Sequence, residues 1–152
     1  MAQSTVWYFA YASNMSKAQM KSRLGADPAD ERVARLDNYE LVFNKRSRGG
    51  TATANIRQAQ GKFVDGVLYR LPESALRSLD RYEGAPVHYR RIEVTVIDQA
   101  GHKTNAQVFI ATKVDKGRLR PAPHYLQTIL EGAGEHSLPA EYIDKIKAAA
   151  QG

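Results

Sequence analysis

The sequence predicts an α+β fold in which a strongly bent or closed β-sheet carries flanking helices. Two observations point there. β-branched and aromatic runs fill much of residues 5–111 without the regular βαβ alternation of a parallel sheet, and the chain then ends in two helical segments. At 152 residues it has room for one domain, residues 1–152, with a sizeable core, and too little for two comfortable ones.

The elements follow in order. "TVWYFAY" (5–11) is β-branched and aromatic and reads as a strand. "SKAQMKSRL" (16–24) opens with Ser16 and has Gln19 three residues on, a capping-box pattern for a helix that stops at Gly25. "ERVARLDNYELVFN" (31–44) suggests two short strands or one bent strand, broken near Asp37-Asn38. "TATANIRQ" (51–58) and "KFVDGVLYRL" (62–71) read as two strands parted by the turn signal Gln60-Gly61. "PESALRSLDRYE" (72–83) places Pro72 at the first helical position and Gly84 just past the end. Residues 90–111 read as a hairpin turning around Ala100-Gly101. The last segment reads as two helices separated by residues 132–139.

Composition narrows the function classes. Hydrophobic content of 43% and charged content of 25% are ordinary for a soluble globular protein. No apolar run approaches 18 residues, and the start lacks a basic segment followed by an apolar one, so neither membrane span nor signal peptide is expected. Without cysteine the chain has no disulfide, thiolate metal site or Cys nucleophile. A cytoplasmic enzyme or binding module remains. The net charge is +6, but the positive charges are spread out, apart from "NKRSRGG" at 44–50. That stretch interleaves no aromatics and reads as a solvated loop, so no nucleic-acid partner is expected.

Two segments carry candidate chemistry. In the helix at 72–83, Leu76, Leu79 and Glu83 share one face on a 3.6-residue period. A carboxylate at the end of an apolar stripe is pushed toward its neutral form by desolvation and by the negative end of the helix dipole. Such a glutamate suits general acid/base work near neutrality. The alternative is a surface glutamate paired with Arg81 or Arg90. In "YFAYASNM" (8–15) a strand breaks off into Ala12, Ser13 and Asn14. A strand turning into a helix there directs successive N–H groups into a concavity suited to an anion. The alternative is a plain connection capped by Asn14 or Ser16.

Other constellations are absent. There is no G-x-S-x-G elbow, P-loop or H-E-x-x-H. His88, His102, His124 and His136 lack metal-ligand spacing, so no metal is expected. Ser13 could act as an acyl nucleophile, but no histidine can be assigned as its base. Glu135 and His136 read as part of a loop between helices.

Taken together, "YFAYASNM", "ARLDNYELVFN", "GGTATANI", "GVLYRLPESALRSLDRYEG", "HYRRIEVTV" and "PAPHYLQTILEGAGEHSLPAEYIDKIKA" resemble the gamma-glutamylcyclotransferase family in order and spacing. The resemblance runs from about Trp7 to about Ala148. It implies a small mixed, barrel-like β-sheet with flanking helices and conversion of γ-glutamyl amino acids or peptides to 5-oxoproline and a free amine. It implies Glu83 as the catalytic residue. The implied substrate-binding residues are Tyr8, Phe9, Ala10, Tyr11, Ala12, Ser13, Asn14 and Met15, with Tyr89 and Tyr125. No cofactor is implied, because the substrate's own α-amine is the nucleophile. The implied partner is a small γ-glutamyl molecule, and a homodimer is compatible with the family. Ala12 stands at the family's usual glycine position; were φ positive there, its β-carbon would cost about 1–2 kcal/mol. Two alternatives stay open: action on γ-glutamyl amines or a biosynthetic γ-glutamyl protecting group, and a non-enzymatic anion- or RNA-binding module.

Overall fold

In the computed structural model, which describes residues 4–152, five strands close into a barrel in the order β1-β3-β2-β4-β5. They are β1 (Thr5–Ala10), β2 (Asp30–Arg46), β3 (Ala52–Pro72), β4 (Tyr89–Asp98) and β5 (Lys103–Ala111). β1 pairs antiparallel with β3 from Thr5↔Pro72 to Ala10↔Val67 and parallel with β5 at Tyr8↔Gln107. That parallel contact makes the sheet mixed and completes the closure. Four helices flank it: α1 (Lys17–Leu24), α2 (Glu73–Glu83), α3 (Pro123–Glu135) and α4 (Ala140–Ala150). The α+β class and the bent, barrel-like sheet are therefore as expected. No helix among the described residues is long and apolar enough to cross a membrane.

The expected break at Asp37-Asn38 is a bulge within one strand. Asp37 pairs with Phe63 and Tyr39 with Gln58, so Asn38 faces a longer stretch of β3. Asn38 adopts φ 64° and its Oδ1 accepts the Gly61 N–H at 3.1 Å. The turn signal Gln60-Gly61 therefore does not end a strand, and the two strands expected over 51–58 and 62–71 are one. Glycine at φ +82° lets β3 bend while pairing resumes on both sides. A long bent strand of this kind can line two neighbouring faces of a barrel.

Residues 64–69 of β3 are all buried, because both faces of the strand are covered. Phe63 stacks on Tyr142 of α4, and Tyr69 meets His136 at the end of α3. Asp65, two residues on and so on the same face as Phe63, is only 3% exposed, and its carboxylate is held by Arg35 through Nε at 2.8 Å and Nη2 at 3.2 Å.

Ser16 caps α1 by accepting the Gln19 N–H at 3.2 Å, and Gly25 (φ 74°) ends the helix as expected. The capping box is only half made, since the Gln19 amide reaches Ser13 and Asn14 instead. Pro72 precedes α2 with extended ψ (148°), one position earlier than expected. Leu76 and Leu79 are buried, each worth about 1.5–3 kcal/mol, and Gly84 (φ 67°) terminates the helix directly after Glu83. In the hairpin, Asp98 Oδ1 accepts the N–H groups of Ala100 (3.0 Å) and His102 (2.9 Å), which fixes the turn.

The expected gap at 132–139 is shorter, because α3 runs through Gly132 and Gly134 to Glu135. Glycine at 132 serves contact. A β-carbon there would lie 2.6 Å from Met15 C and Ser16 N. The helix thus packs directly on the backbone that follows β1. Gly132→Ala is expected to destabilise the fold by about 1–3 kcal/mol through overpacking, measured by urea denaturation. Gly134→Ala, which meets nothing within 4 Å, should leave the midpoint nearly unchanged.

Candidate active site

β1 leaves the sheet after Ala10, and the chain makes a single 3-10 turn over Ser13–Met15 before α1 begins. Met15 N–H donates to Ala12 O and Ser16 N–H to Ser13 O, both at 3.0 Å. The N–H groups of Ala12, Ser13 and Asn14 have no acceptor among the described residues, as expected of the opening of a helical turn. Ala12 adopts φ −132°, so its β-carbon meets no left-handed strain and the sequence expectation of a penalty there does not arise.

The turn is braced from behind. Tyr69 Oη donates between Asn14 O (3.1 Å) and Met15 O (3.3 Å), and His136 Nε2 lies 3.0 Å from Met15 O. A carbonyl only accepts, so that ring nitrogen carries a hydrogen. Glu135 Oε1 accepts the Lys17 N–H at 3.1 Å, placing an anion at the N-terminus of α1. Glu135 and His136, expected in an interhelical loop, are the last residue of α3 and its C-cap. Their role is to hold the turn against the barrel.

α2 delivers Glu83 to the front of the same turn. Asn14 Nδ2 donates to Tyr8 Oη (2.9 Å) and to Glu83 Oε1 (3.3 Å). Asn14 Oδ1 accepts from Gln19 Nε2 (2.9 Å) and Arg23 Nη1 (3.0 Å). Arg23 Nη1 also lies 3.5 Å from Glu83 Oε1, while its guanidinium covers the Tyr82 ring. The Glu83 side chain is 20% exposed. Burial pushes its carboxyl above the usual range, against the opposing pull of Arg23 and Asn14. Glu83 Oε2 has no protein partner among the described residues. Burial, followed by the nearby Glu83 charge, keeps the Tyr8 phenol neutral, so it retains a proton to donate.

These groups open on a cavity of about 190 Å³. Of the sequence-expected residues, Tyr8, Tyr11, Ala12, Ser13, Asn14, Glu83, Tyr89 and Tyr125 line it. Phe9, Ala10 and Met15 do not. They are at most 1% exposed and belong to the core: Phe9 alternates with Tyr8 along β1 and faces inward. Tyr89 Oη donates to Ala54 O at 2.7 Å, and Tyr125 Oη accepts the Ala54 N–H at 3.0 Å. The two tyrosines clamp β3 at the cavity wall, and burial raises both above the ordinary phenol range.

Arg23, Thr53, Tyr82 and Phe109 also line the cavity and were not anticipated. Gln19 and Arg23, one turn apart on α1, both reach Asn14, a pairing that helical spacing signals. Thr53 and Phe109 arrive from distant strands and leave no local trace. The only side-chain bond of Ser13 among the described residues is to Gln19 Nε2 (2.7 Å), so no base is placed to activate it. Among the described residues no three His, Asp or Glu side chains cluster as a metal ion would need.

A profile of the AIG2-like family matches residues 63–146. Human gamma-glutamylcyclotransferase is 36% identical over 148 residues, covering 93% of this chain and 77% of that protein. The mouse gamma-glutamylcyclotransferase is 34% identical over 152 residues, covering 95% and 78%. A solved structure of a gamma-glutamyl cyclotransferase superposes with a TM-score of 0.87 at 33% identity, covering 95% of this chain and 88% of that one. With this extent of shared sequence and the same barrel, the chain belongs to the gamma-glutamylcyclotransferase family.

Proposed function

We propose that this protein cyclises γ-glutamyl amino acids or peptides to 5-oxoproline, releasing the amine, with Glu83 as general acid/base. The observation that supports this most is the position of one desolvated carboxylate facing a turn of unpaired N–H donors. The family membership supports the reaction type. The absence of cysteine fits a cytoplasmic setting. The chain is read as one domain acting on a small molecule.

The steps balance without a cofactor. The substrate's α-amine nitrogen attacks its own γ-carbonyl carbon, closing a five-membered ring, and the carbonyl electrons move to oxygen. Ionised Glu83 takes a proton from the attacking nitrogen. It returns that proton to the leaving nitrogen as the original C–N bond breaks and the carbonyl reforms. The fold's contribution is to hold the reactive folded conformer, which removes the orientational cost of ring closure. The N–H groups of Ala12, Ser13 and Asn14 are suited to the substrate carboxylate or the developing oxyanion, with the Tyr8 hydroxyl as a neutral donor beside them. A free α-amine titrates near ~8. A carboxyl raised above its usual range is better matched to it than an ordinary one.

Glu83→Gln is expected to lower kcat by about 10²–10⁴-fold, the usual worth of a positioned acid/base, in a 5-oxoproline release assay. Its fold should survive. A carboxyl with a raised folded pKa binds more protons folded than unfolded between its ordinary 4.5 and the folded value, so stability falls as pH rises through that interval. Above it, ionised Glu83 is a standing cost, and the variant's thermal midpoint at neutral pH should equal or exceed the native one. Full activity in Glu83→Gln would remove this residue from the mechanism. The pH profile of kcat/KM should show an acid limb above 4.5, the value for an unshifted glutamate, because the base must be ionised to accept the amine proton.

A further inference from the structure

A second cavity adjoins the first, a vestibule of about 410 Å³ that shares Thr53, Tyr82, Glu83 and Tyr89 with the inner chamber. The inner chamber, at about 190 Å³, is smaller than the ~300–1,000 Å³ pockets that hold drug-sized ligands. It suits one glutamyl-sized group. A proton carrier serving both nitrogens must stand at the scissile amide. Because Glu83 lines both cavities, a glutamyl group held in the inner chamber would direct the leaving group toward the vestibule.

The vestibule's charge is one-sided. Lys45, Arg46 and Arg48 reach it from "NKRSRGG", and Arg81 reaches it from the last turn of α2. Glu83 is the one carboxylate among its lining residues. Arg46 is engaged by Asp115 at 2.8 Å. Lys45, Arg48 and Arg81 form no ion pair with any described residue; Lys45 Nζ donates to Arg46 O and Arg81 Nη2 to Ser78 Oγ, both at 3.3 Å. The basic segment is also a shaped turn. Ser47 N–H donates to Thr51 O at 2.8 Å and Gly50 N–H to Ser47 O at 3.0 Å. Cations held over the exit of a site attract anionic occupants and repel cationic ones.

Resting on the cyclotransferase reading, we propose that this vestibule selects leaving groups rich in carboxylate. γ-Glutamyl conjugates of acidic amino acids or short acidic peptides are the preferred substrates, ahead of neutral amino acids, uncharged amides and cationic amines. The free α-carboxylate of a leaving amino acid sits one carbon from the scissile nitrogen, within the part of the molecule that must occupy the vestibule. A second carboxylate extends the match toward Arg48.

The test compares kcat/KM for γ-glutamyl-glutamate, γ-glutamyl-alanine and γ-glutamyl-alaninamide by 5-oxoproline release at low and high salt. The last two differ by one charge at nearly constant shape. Expected is a fall of about ten-fold at each loss of a carboxylate, carried mainly by KM and shrinking as salt screens exposed charges. Charge reversal at two exposed positions, Arg48→Glu with Arg81→Glu, should compress the glutamate-to-alaninamide ratio toward one. Equal efficiency for alanine and alaninamide, or an unchanged ratio in the double variant, overturns the proposal while leaving the cyclotransferase reading intact. Failure to release 5-oxoproline from any of the three defeats that reading, and this inference with it.

Discussion

Asn14 makes four side-chain hydrogen bonds, and their polarity decides what the site can do. Its Oδ1 faces the Gln19 amide and the Arg23 guanidinium, which has no accepting atom, so its amide N–H groups must face Tyr8 and Glu83. The reverse orientation would set donors against donors in a site only 4% exposed, at a cost of about 1–3 kcal/mol for each buried group left unpaired. One amide thus fixes which Glu83 oxygen is engaged and leaves Oε2 available. It also ties the turn after β1 to the end of α2, the two segments whose proximity makes a cavity.

Barrel closure provides the rest of the geometry. Tyr8 comes from β1, Thr53 and Ala54 from β3, Tyr89 from β4 and Phe109 from β5, four strands that closure of the sheet brings to one rim, and Tyr125 is added from α3. The turn bearing the N–H donors is pinned by Tyr69 and His136 from behind and by the close approach of Gly132. A rigid floor of this kind keeps donors aimed without reorganisation when charge develops, which is where such groups contribute most. The basic turn after β2 lies outside that floor and lines the neighbouring vestibule.

Local signals carried much of the fold. Ser16 and Gly25 bound α1, Gly84 ends α2 after Glu83, and Ala100-Gly101 turns the hairpin, because caps and tight turns are governed by residues adjacent in sequence. Gly61 misled because positive φ serves a turn and a bulge equally, and only pairing with β2 distinguishes them. Gly132 and Gly134 misled because glycine reads as a helix end, whereas Gly132 is required by contact with Met15 and Ser16. In the site, the Leu76, Leu79 and Glu83 stripe placed the carboxylate beside the core. The 8–15 segment marked the turn but did not separate Tyr8 and Asn14, which face the cavity, from Phe9, Ala10 and Met15, which face the core. Arg23 and Thr53 depend on long-range packing.

The site depends on a Glu83 carboxyl that burial pushes above the usual carboxylate range. That shift is tested most directly by following the side-chain carboxyl ¹³C resonances of glutamate-labelled protein through a pH titration, with Glu83→Gln assigning the signal. The account predicts one glutamate titrating clearly above 4.5, the ordinary value, and missing from the variant. A Glu83 resonance titrating at or below 4.5 would contradict it.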